Sequence, residues 1–299
     1  MNKGLVTSFV AGTYEVYDYD TKKRYKGVPR GKLKNEMLVK VGDKVEYSLT
    51  SDGNLIIEQV DTRSNDIIRP NICNIDQAFV VFSVKEPDLN LNLLDKFLVN
   101  LEYNNIKPII IFNKWDLLID KSDLNKIVSY YKEIGYNVLI TSAKEALVDV
   151  LPSLLTNHIS CFTGQSGVGK SSLLNVLDPT LFLETNEISK ALGRGKHTTR
   201  SVSLLEINNG WVADTPGFGT ISFSDMDERS IADNFVEFFD FSKNCKYNGC
   251  LHLNEPGCMV KEKLKNGLIL PSRYENYLSF INELRKEKKN DYCSINIKY

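Results

Sequence analysis

Three regions of different structural class are predicted: an all-β N-terminus, a central α/β domain, and a mainly helical, cysteine-bearing C-terminus. Three observations predict them. Short alternating apolar–polar stretches, separated by turn residues, fill residues 1–65 and show no helical period. From Ala78 onward, continuous apolar runs alternate with helically spaced segments, as in a parallel sheet buried on both faces. Past residue 225 helical spacing returns, interrupted by three clustered cysteines.

The 299 residues are 42% hydrophobic and 25% charged, which suits two or three ordinary domains. No apolar run approaches the ~18 residues of a membrane span. The start, Met1-Asn2-Lys3-Gly4-Leu5-Val6, soon meets Glu15 and Asp18 and has no small-residue cleavage site, so a cytoplasmic protein is expected. Six cysteines are too sparse for a disulfide scaffold. The net charge of −1 conceals an asymmetry. Residues 1–70 carry 12 Lys/Arg against 10 Asp/Glu, residues 71–242 carry 14 against 22, and residues 243–299 carry 11 against 6. Basic ends around an acidic centre favour a polyanionic partner at the ends.

In the first region, Leu5–Val10, Thr13–Tyr17, Lys44–Tyr47 and Asn54–Glu58 read as strands, with turns at Ala11-Gly12, Val41-Gly42-Asp43 and Ser51-Asp52-Gly53-Asn54. Four or five short strands in this length suit a small barrel of OB-fold type. Between two of them lies a stretch with Lys22, Lys23, Arg24, Lys26, Arg30, Lys32 and Lys34, no acidic residue, and Tyr25 inside. Basic side chains track phosphates and an aromatic ring offers a stacking face, so these residues are candidate RNA contacts.

Asp66-Ile67-Ile68-Arg69-Pro70-Asn71 reads as a linker. Beyond it, Ala78–Val84, Pro108–Phe112 and Asn137–Ile140 read as strands, with helices over 93–101, 121–134 and 145–155. Ile159–Phe162 is a further strand, and Ser201–Ile207 with Gly210–Asp214 a strand pair. Helices are expected over 228–239 and 272–289.

Between the strand at Ile159 and a helical start lies Gly164-Gln165-Ser166-Gly167-Val168-Gly169-Lys170-Ser171-Ser172, which fits G-x-x-x-x-G-K-[ST]. Its glycines let successive N–H groups wrap a phosphate, and the following helix adds its free N–H groups and positive dipole end. Lys170 can reach the β- and γ-phosphates, and Ser171 can offer its hydroxyl to Mg²⁺.

Asn113-Lys114-Trp115-Asp116 follows directly on a buried strand. Asp116 could accept from guanine N1–H and the 2-amino group, donors that adenine lacks, so guanine is expected. Lys114 can lie along base and ribose, and Asn113 can tie this loop to the phosphate loop. At the next strand end, Ser142 and Ala143 of Thr141-Ser142-Ala143-Lys144 can donate backbone N–H groups to guanine O6. Asp214-Thr215-Pro216-Gly217 ends a later strand: Asp214 can hold Mg²⁺ through water, and the Gly217 N–H can contact the γ-phosphate. In Gly193-Arg194-Gly195-Lys196-His197-Thr198-Thr199-Arg200, a threonine could complete the Mg²⁺ shell, Thr199 or Thr198. Phe218 stands where many GTPases place a water-orienting glutamine, and His197 is the nearest alternative by sequence. Slow intrinsic hydrolysis that needs an activator is therefore expected.

All elements of a P-loop GTPase are present, but the base-reading loops precede the phosphate loop. This order is a circular permutation, with the old termini joined through residues 151–158. The segment that senses γ-phosphate is then linked covalently to the C-terminal region.

Cys245-x₄-Cys250-x-His252-x₅-Cys258 is a Cys₃His set, and four protein ligands leave no open position, so a structural Zn²⁺ is expected. Cys73, Cys161 and Cys293 read as isolated core or tail residues, and His158 as structural.

With these motifs assembled, the chain resembles the ribosome-small-subunit-dependent GTPase A family (RsgA/YjeQ) over nearly its whole length. The resemblance implies an OB-fold over 1–65, a permuted GTPase domain over 72–225 and a zinc-binding helical domain over 226–299. It implies GTP hydrolysis stimulated by the 30S subunit, a role late in 30S maturation around 16S rRNA, and a hydrolytic role for His197. Lys196 stands where Arg is commoner in the family, and Arg200 where another Thr is common. A monomer away from membranes is expected. The alternative of a different class is an RNA-binding assembly module that senses nucleotide, with hydrolysis incidental.

Overall fold

The computed structural model of the chain describes residues 1–68, 70–142, 149–181, 202–214 and 222–296, with the side chains of 34–36, 181 and 290–296 excepted. The N-terminal region is a closed five-stranded barrel: β1 (Asn2–Val10), β2 (Thr13–Asp18), β3 (Arg24–Pro29), then helix α1 (Gly31–Glu36), β4 (Lys44–Leu49) and β5 (Leu55–Val60). The strand order is β1-β2-β3-β5-β4, and β4 returns to β1. Alternation sends Val6, Tyr14, Val16, Val45, Tyr47, Leu55 and Ile57 inward as one core. The basic stretch between two of the expected strands forms strand β3 followed by α1. Periodicity missed both, because no residue of β3 is fully buried and α1 spans six residues.

The expected linker is structured. Strands β6 (Asp66–Ile67) and β7 (Ile72–Cys73) pair with each other. Arg63 fastens this pair to the barrel through Asp43 at 2.8 Å and Asp66 at 2.7 Å.

The central region runs β8 (Gln77–Ser83), α2 (Leu91–Tyr103), β9 (Lys107–Asn113), α3 (Ser122–Glu133), β10 (Asn137–Ile140), α4 (Leu151–Leu155), β11 (Ile159–Thr163), α5 (Lys170–Leu177), β12 (Ser203–Ile207) and β13 (Gly210–Asp214). The order is β10-β9-β8-β11-β13-β12, and β12 is antiparallel to the other five. The alternation within β8 and β9 explains why their sequences are apolar throughout. Val80, Phe82, Ile110 and Phe112 join the core under α2 and α3. Phe79, Val81, Ile109 and Ile111 join the core under α4 and α5. Both faces are covered, and every parallel strand ends on the same edge. β12 also pairs with β1 at Ser203↔Ser8, so the central sheet and the barrel form one sheet of 11 strands.

The C-terminal region holds α6 (Glu228–Asp233), α7 (Val236–Ser242), α8 (Met259–Lys265) and α9 (Pro271–Asn296) around an aromatic core of Phe223, Phe235, Phe238, Tyr277 and Phe280. The helix expected over 228–239 is two helices that break at Asn234, whose backbone N–H closes α6 on Ser230 and Ala232. No helix among the described residues is long and apolar enough to cross a membrane.

Candidate nucleotide site and metal centre

The loops that follow β8, β9, β10, β11 and β13 gather at the carboxyl edge of the sheet. The phosphate loop leaves β11 through Gly164, whose φ is +133°. A Cβ there would lie 2.0 Å from the Val81 carbonyl oxygen, so only glycine fits. Gly169 has φ +98°, and a Cβ would meet Asn113 Nδ2 at 2.4 Å. Asn113 is buried and is oriented at both ends. Its Oδ1 accepts from Thr141 Oγ1 at 3.0 Å, and its Nδ2 donates to the Val168 carbonyl at 2.8 Å. One side chain thus joins the phosphate loop to the two base-reading loops.

Lys114 sits at φ +60°, and its Nζ donates to the Glu86 carbonyl. The Asp116 carboxylate is held by the Ser142 hydroxyl at 2.7 Å, and the Trp115 N–H donates to the Thr141 carbonyl at 3.3 Å. A carboxylate braced this way has little freedom left to lose on binding a ligand.

Lys170 opens α5 and curls back over the loop, with Nζ donating to the Gly164 carbonyl at 2.8 Å and the Gln165 carbonyl at 2.6 Å. Burial lowers its pKa, so an anion beside it would be favoured on charge grounds as well as geometry. Ser171 is buried in the first turn of α5, with Ser172 beside it. Asp214 is buried at the end of β13, which runs parallel to β11. Ser166 and Gly167 lie in the loop between β11 and α5. Ala143, Arg194, Lys196, His197, Thr198, Thr199, Arg200, Gly217 and Phe218 lie outside the described residues.

The second cluster is Cys245, Cys250, His252 and Cys258, whose ligand atoms all lie within 4.8 Å of one another. His252 Nδ1 is 3.8 Å from the Cys245 sulfur and 3.4 Å from that of Cys258. The peptide curls tightly, with His252 at φ +59° and Glu255 accepting from the Leu251 and Leu253 N–H groups at 2.8 Å each. Burial pushes the Cys250 thiol up to about 12, raises Cys258 and holds His252 below its ordinary value. Neutral imidazole ligates directly, and a cation would supply the charge that favours thiolates there. The donor set fits a tetrahedral metal ion.

Of the basic barrel residues, Lys22, Lys23, Lys26 and Lys32 are exposed. Arg30 is exposed but pairs with Glu58 at 2.8 Å. Arg24 is engaged at the junction with the central sheet. It pairs with Glu15 at 3.0 Å and Glu206 at 3.7 Å and lies 5.6 Å from the Trp211 ring centroid. His158 Nδ1 is bonded to the Thr156 carbonyl at 2.8 Å. Two groups carry no sequence signature. Ser83, Glu86 and Pro87 flank Lys114 at the site, and away from it Asp95, Glu237 and Arg273 form a buried ion cluster between α2, α7 and α9.

Fold and loops together define a circularly permuted P-loop GTPase. The family model for the RsgA GTPase matches residues 60–224. A small ribosomal subunit biogenesis GTPase RsgA from Geobacillus sp. (strain WCH70) is 45% identical over 292 residues, covering 96% of this chain and 99% of the relative. The protein of that name from Bacillus subtilis (strain 168) is 42% identical over 299 residues, with the same coverage. The crystal structure of YloQ, a circularly permuted GTPase, superposes with a TM-score of 0.83 at 38% identity, covering 96% of both chains. That of YjeQ from Thermotoga maritima also gives 0.83, at 36% identity, covering 95% of this chain and 98% of the other. The chain belongs to the RsgA GTPase family.

Proposed function

We propose that this GTPase acts in biogenesis of the small ribosomal subunit and turns over fastest when bound to that subunit. The observation that carries the reading is the Asn113–Val168 bond, which joins a guanine-type loop to a phosphate loop that comes later in the chain. Asp116 accepts from guanine N1–H and the 2-amino group, Lys114 lies along the base, and the backbone at Ser142 and Ala143 donates to O6. Gly164, Gln165, Ser166, Gly167, Val168, Gly169 and Ser172 line the phosphates. Lys170 exchanges its two carbonyl partners for β- and γ-phosphate oxygens, a charge-assisted pairing. Gly217 contacts the γ-phosphate. Ser171, Thr199 and Asp214 would hold Mg²⁺, which supplies neutralisation of the charge that develops on the phosphates. His197, or a group from the ribosome, orients the attacking water.

The Cys₃His set holds one structural Zn²⁺ within a helical domain spanning 226–299. The barrel over 1–65 meets 16S rRNA through Lys22, Lys23, Lys26, Arg30 and Lys32, with Arg24 serving the domain junction as well. The domain over 72–225 handles GTP. The protein works as a monomer in the cytoplasm, away from membranes.

The test is GTP turnover by purified protein, alone and with isolated small subunits. Slow turnover alone and about a ten-fold or greater rise with subunits is expected, as for other GTPases that need an activator. Equal rates would sink the coupling.

A further inference from the structure

Helix α2 begins beside the nucleotide loops and runs its whole length against the C-terminal region. At its start, Asn90 caps it by accepting from the Leu93 N–H at 2.9 Å. The loop leading into that cap touches the site at three points. Val84 N–H donates to the Asn113 carbonyl at 3.0 Å. The Glu86 carbonyl, at a residue with φ +56°, holds Lys114 Nζ. Pro87, fixed by Ser83 Oγ donating to its carbonyl at 2.6 Å, places its Cδ 3.9 Å from where a Cβ of Gly167 would stand.

Along α2, Asn92 donates to Asn276 Oδ1 at 2.9 Å, Lys96 pairs with Glu283, and Val99 joins the core of Phe223 and Phe280. Tyr103 OH donates to the Asp225 carbonyl at 2.7 Å. At the centre of this contact is an ion cluster closed to solvent. Arg273 of α9 donates to Asp95 of α2 at 2.7 Å, and to Glu237 of α7 at 2.9 and 2.8 Å. Arg273 and Asp95 are 0% exposed and Glu237 4%. Tyr131 OH at 2.5 Å and Asn276 Nδ2 at 2.6 Å also donate to Asp95, and Tyr130 OH donates to Glu237 at 3.1 Å. The Arg273 guanidinium lies 4.5 Å from the Phe235 ring centroid.

Two carboxylates share one guanidinium out of water. Apolar residues of the same volume could pack such a contact at least as stably, so stability alone does not account for the cluster. What it adds is directionality: the bidentate fork of Arg273 accepts few arrangements of α2, α7 and α9. An apolar contact can slide, whereas this one moves as a unit.

We propose that Asp95, Arg273 and Glu237 are positioning residues that fix α2, and through it the loop at 84–90, so that the C-terminal region sets the affinity of the guanine nucleotide. The proposal rests on the nucleotide-site reading above. The route is separate from the chain connection through Gly217, because it runs through Pro87, Lys114 and α2 and not along the backbone. Reciprocity then requires that nucleotide binding bias the C-terminal region by the same factor.

The test uses full-length protein with bound metal and a fluorescent GDP, titrated well below the melting temperature. Asp95→Asn keeps the shape and one acceptor oxygen for Tyr131 and Arg273, but removes the carboxylate charge and turns the acceptor facing Asn276 Nδ2 into a donor. It is expected to weaken GDP about ten-fold, mostly through faster release, with metal content unchanged. The paired change Asn92→Ala, Lys96→Ala loosens the same contact from its half-buried edge and is expected to weaken GDP several-fold. It decides the matter if Asp95→Asn fails to fold. Arg285→Ala breaks the exposed pair with Glu228, inside the C-terminal region and away from α2, and is expected to leave affinity as it was. Folded, metal-loaded α2 variants that bind GDP as tightly as the parent overturn the proposal, since lost stability alone does not shift affinity below the melting range. Weakening by Arg285→Ala equal to that of the α2 variants also overturns it. A parent protein that does not prefer GDP over ADP removes the site reading itself and this proposal with it.

Discussion

Gly164 is the residue at which conformation and packing most narrowly limit the choice. Its φ of +133° is open to glycine alone, and the Val81 carbonyl occupies the space a side chain would need. Gly164→Ala is therefore expected to lower unfolding stability by on the order of 2–4 kcal/mol, combining backbone strain with displacement of β8. It should also abolish nucleotide binding, since the loop must shift. Urea unfolding and a GDP titration on the same sample check both, and an unchanged midpoint would contradict the reading. Gly164, Asn113, Asp116 and Lys170 were legible because each carries its chemistry in a short local pattern. Arg273 was not. In the sequence it is one more basic residue on a helix, and its partners Asp95 and Glu237 are 178 and 36 positions away. Burial of a charge is settled by what meets it in three dimensions, which local spacing does not encode.

At the scale of elements, the buried strands β8, β9 and β11 were legible because a strand covered on both faces must be apolar at every position. Strand β3 and helix α1 within the basic stretch were not legible, because no residue of β3 is fully buried and α1 spans only six residues. Helix α8 was missed because seven residues show too little period. The C-terminal helices α6, α7 and α8 span six, seven and seven residues, far below what holds a helix alone in water. Their order depends on the aromatic core and on the curl from Cys245 to Cys258, which brings three thiols and an imidazole into a buried space. Stripping the metal with a strong chelator is expected to lower the far-UV helical signal and expose Phe235 and Phe238 to an apolar dye, with Zn²⁺ recovered at one per chain. A metal-free protein with an unaltered spectrum would contradict this.

Across the whole molecule, the permuted order has a consequence that motif reading alone anticipated only in part. The base-reading loops come first, then the phosphate loop, and the chain leaves the central sheet from β13 toward the helical region. The order was legible because the motifs could be lined up without any structure. The joining of barrel and central sheet through β1 and β12, reinforced by Arg24 over Trp211, was not. One ladder pair between Ser8 and Ser203 leaves no trace in composition. The barrel is fused to the sheet through β12, and the cysteine-bearing helices are locked to α2, so both basic regions of the chain contact the central domain. A polyanionic surface that engages both regions would act on that domain through both contacts.

The assignment of the nucleotide site rests on Asp116, braced by Ser142, and on Lys170 of the phosphate loop. The most direct measurement is calorimetric titration of the full-length protein, in the presence of Mg²⁺, with GDP and ADP in parallel. A preference for GDP on the order of a thousand-fold or more is expected from a carboxylate that adenine cannot satisfy. Equal affinities for the two nucleotides would contradict the assignment of the site.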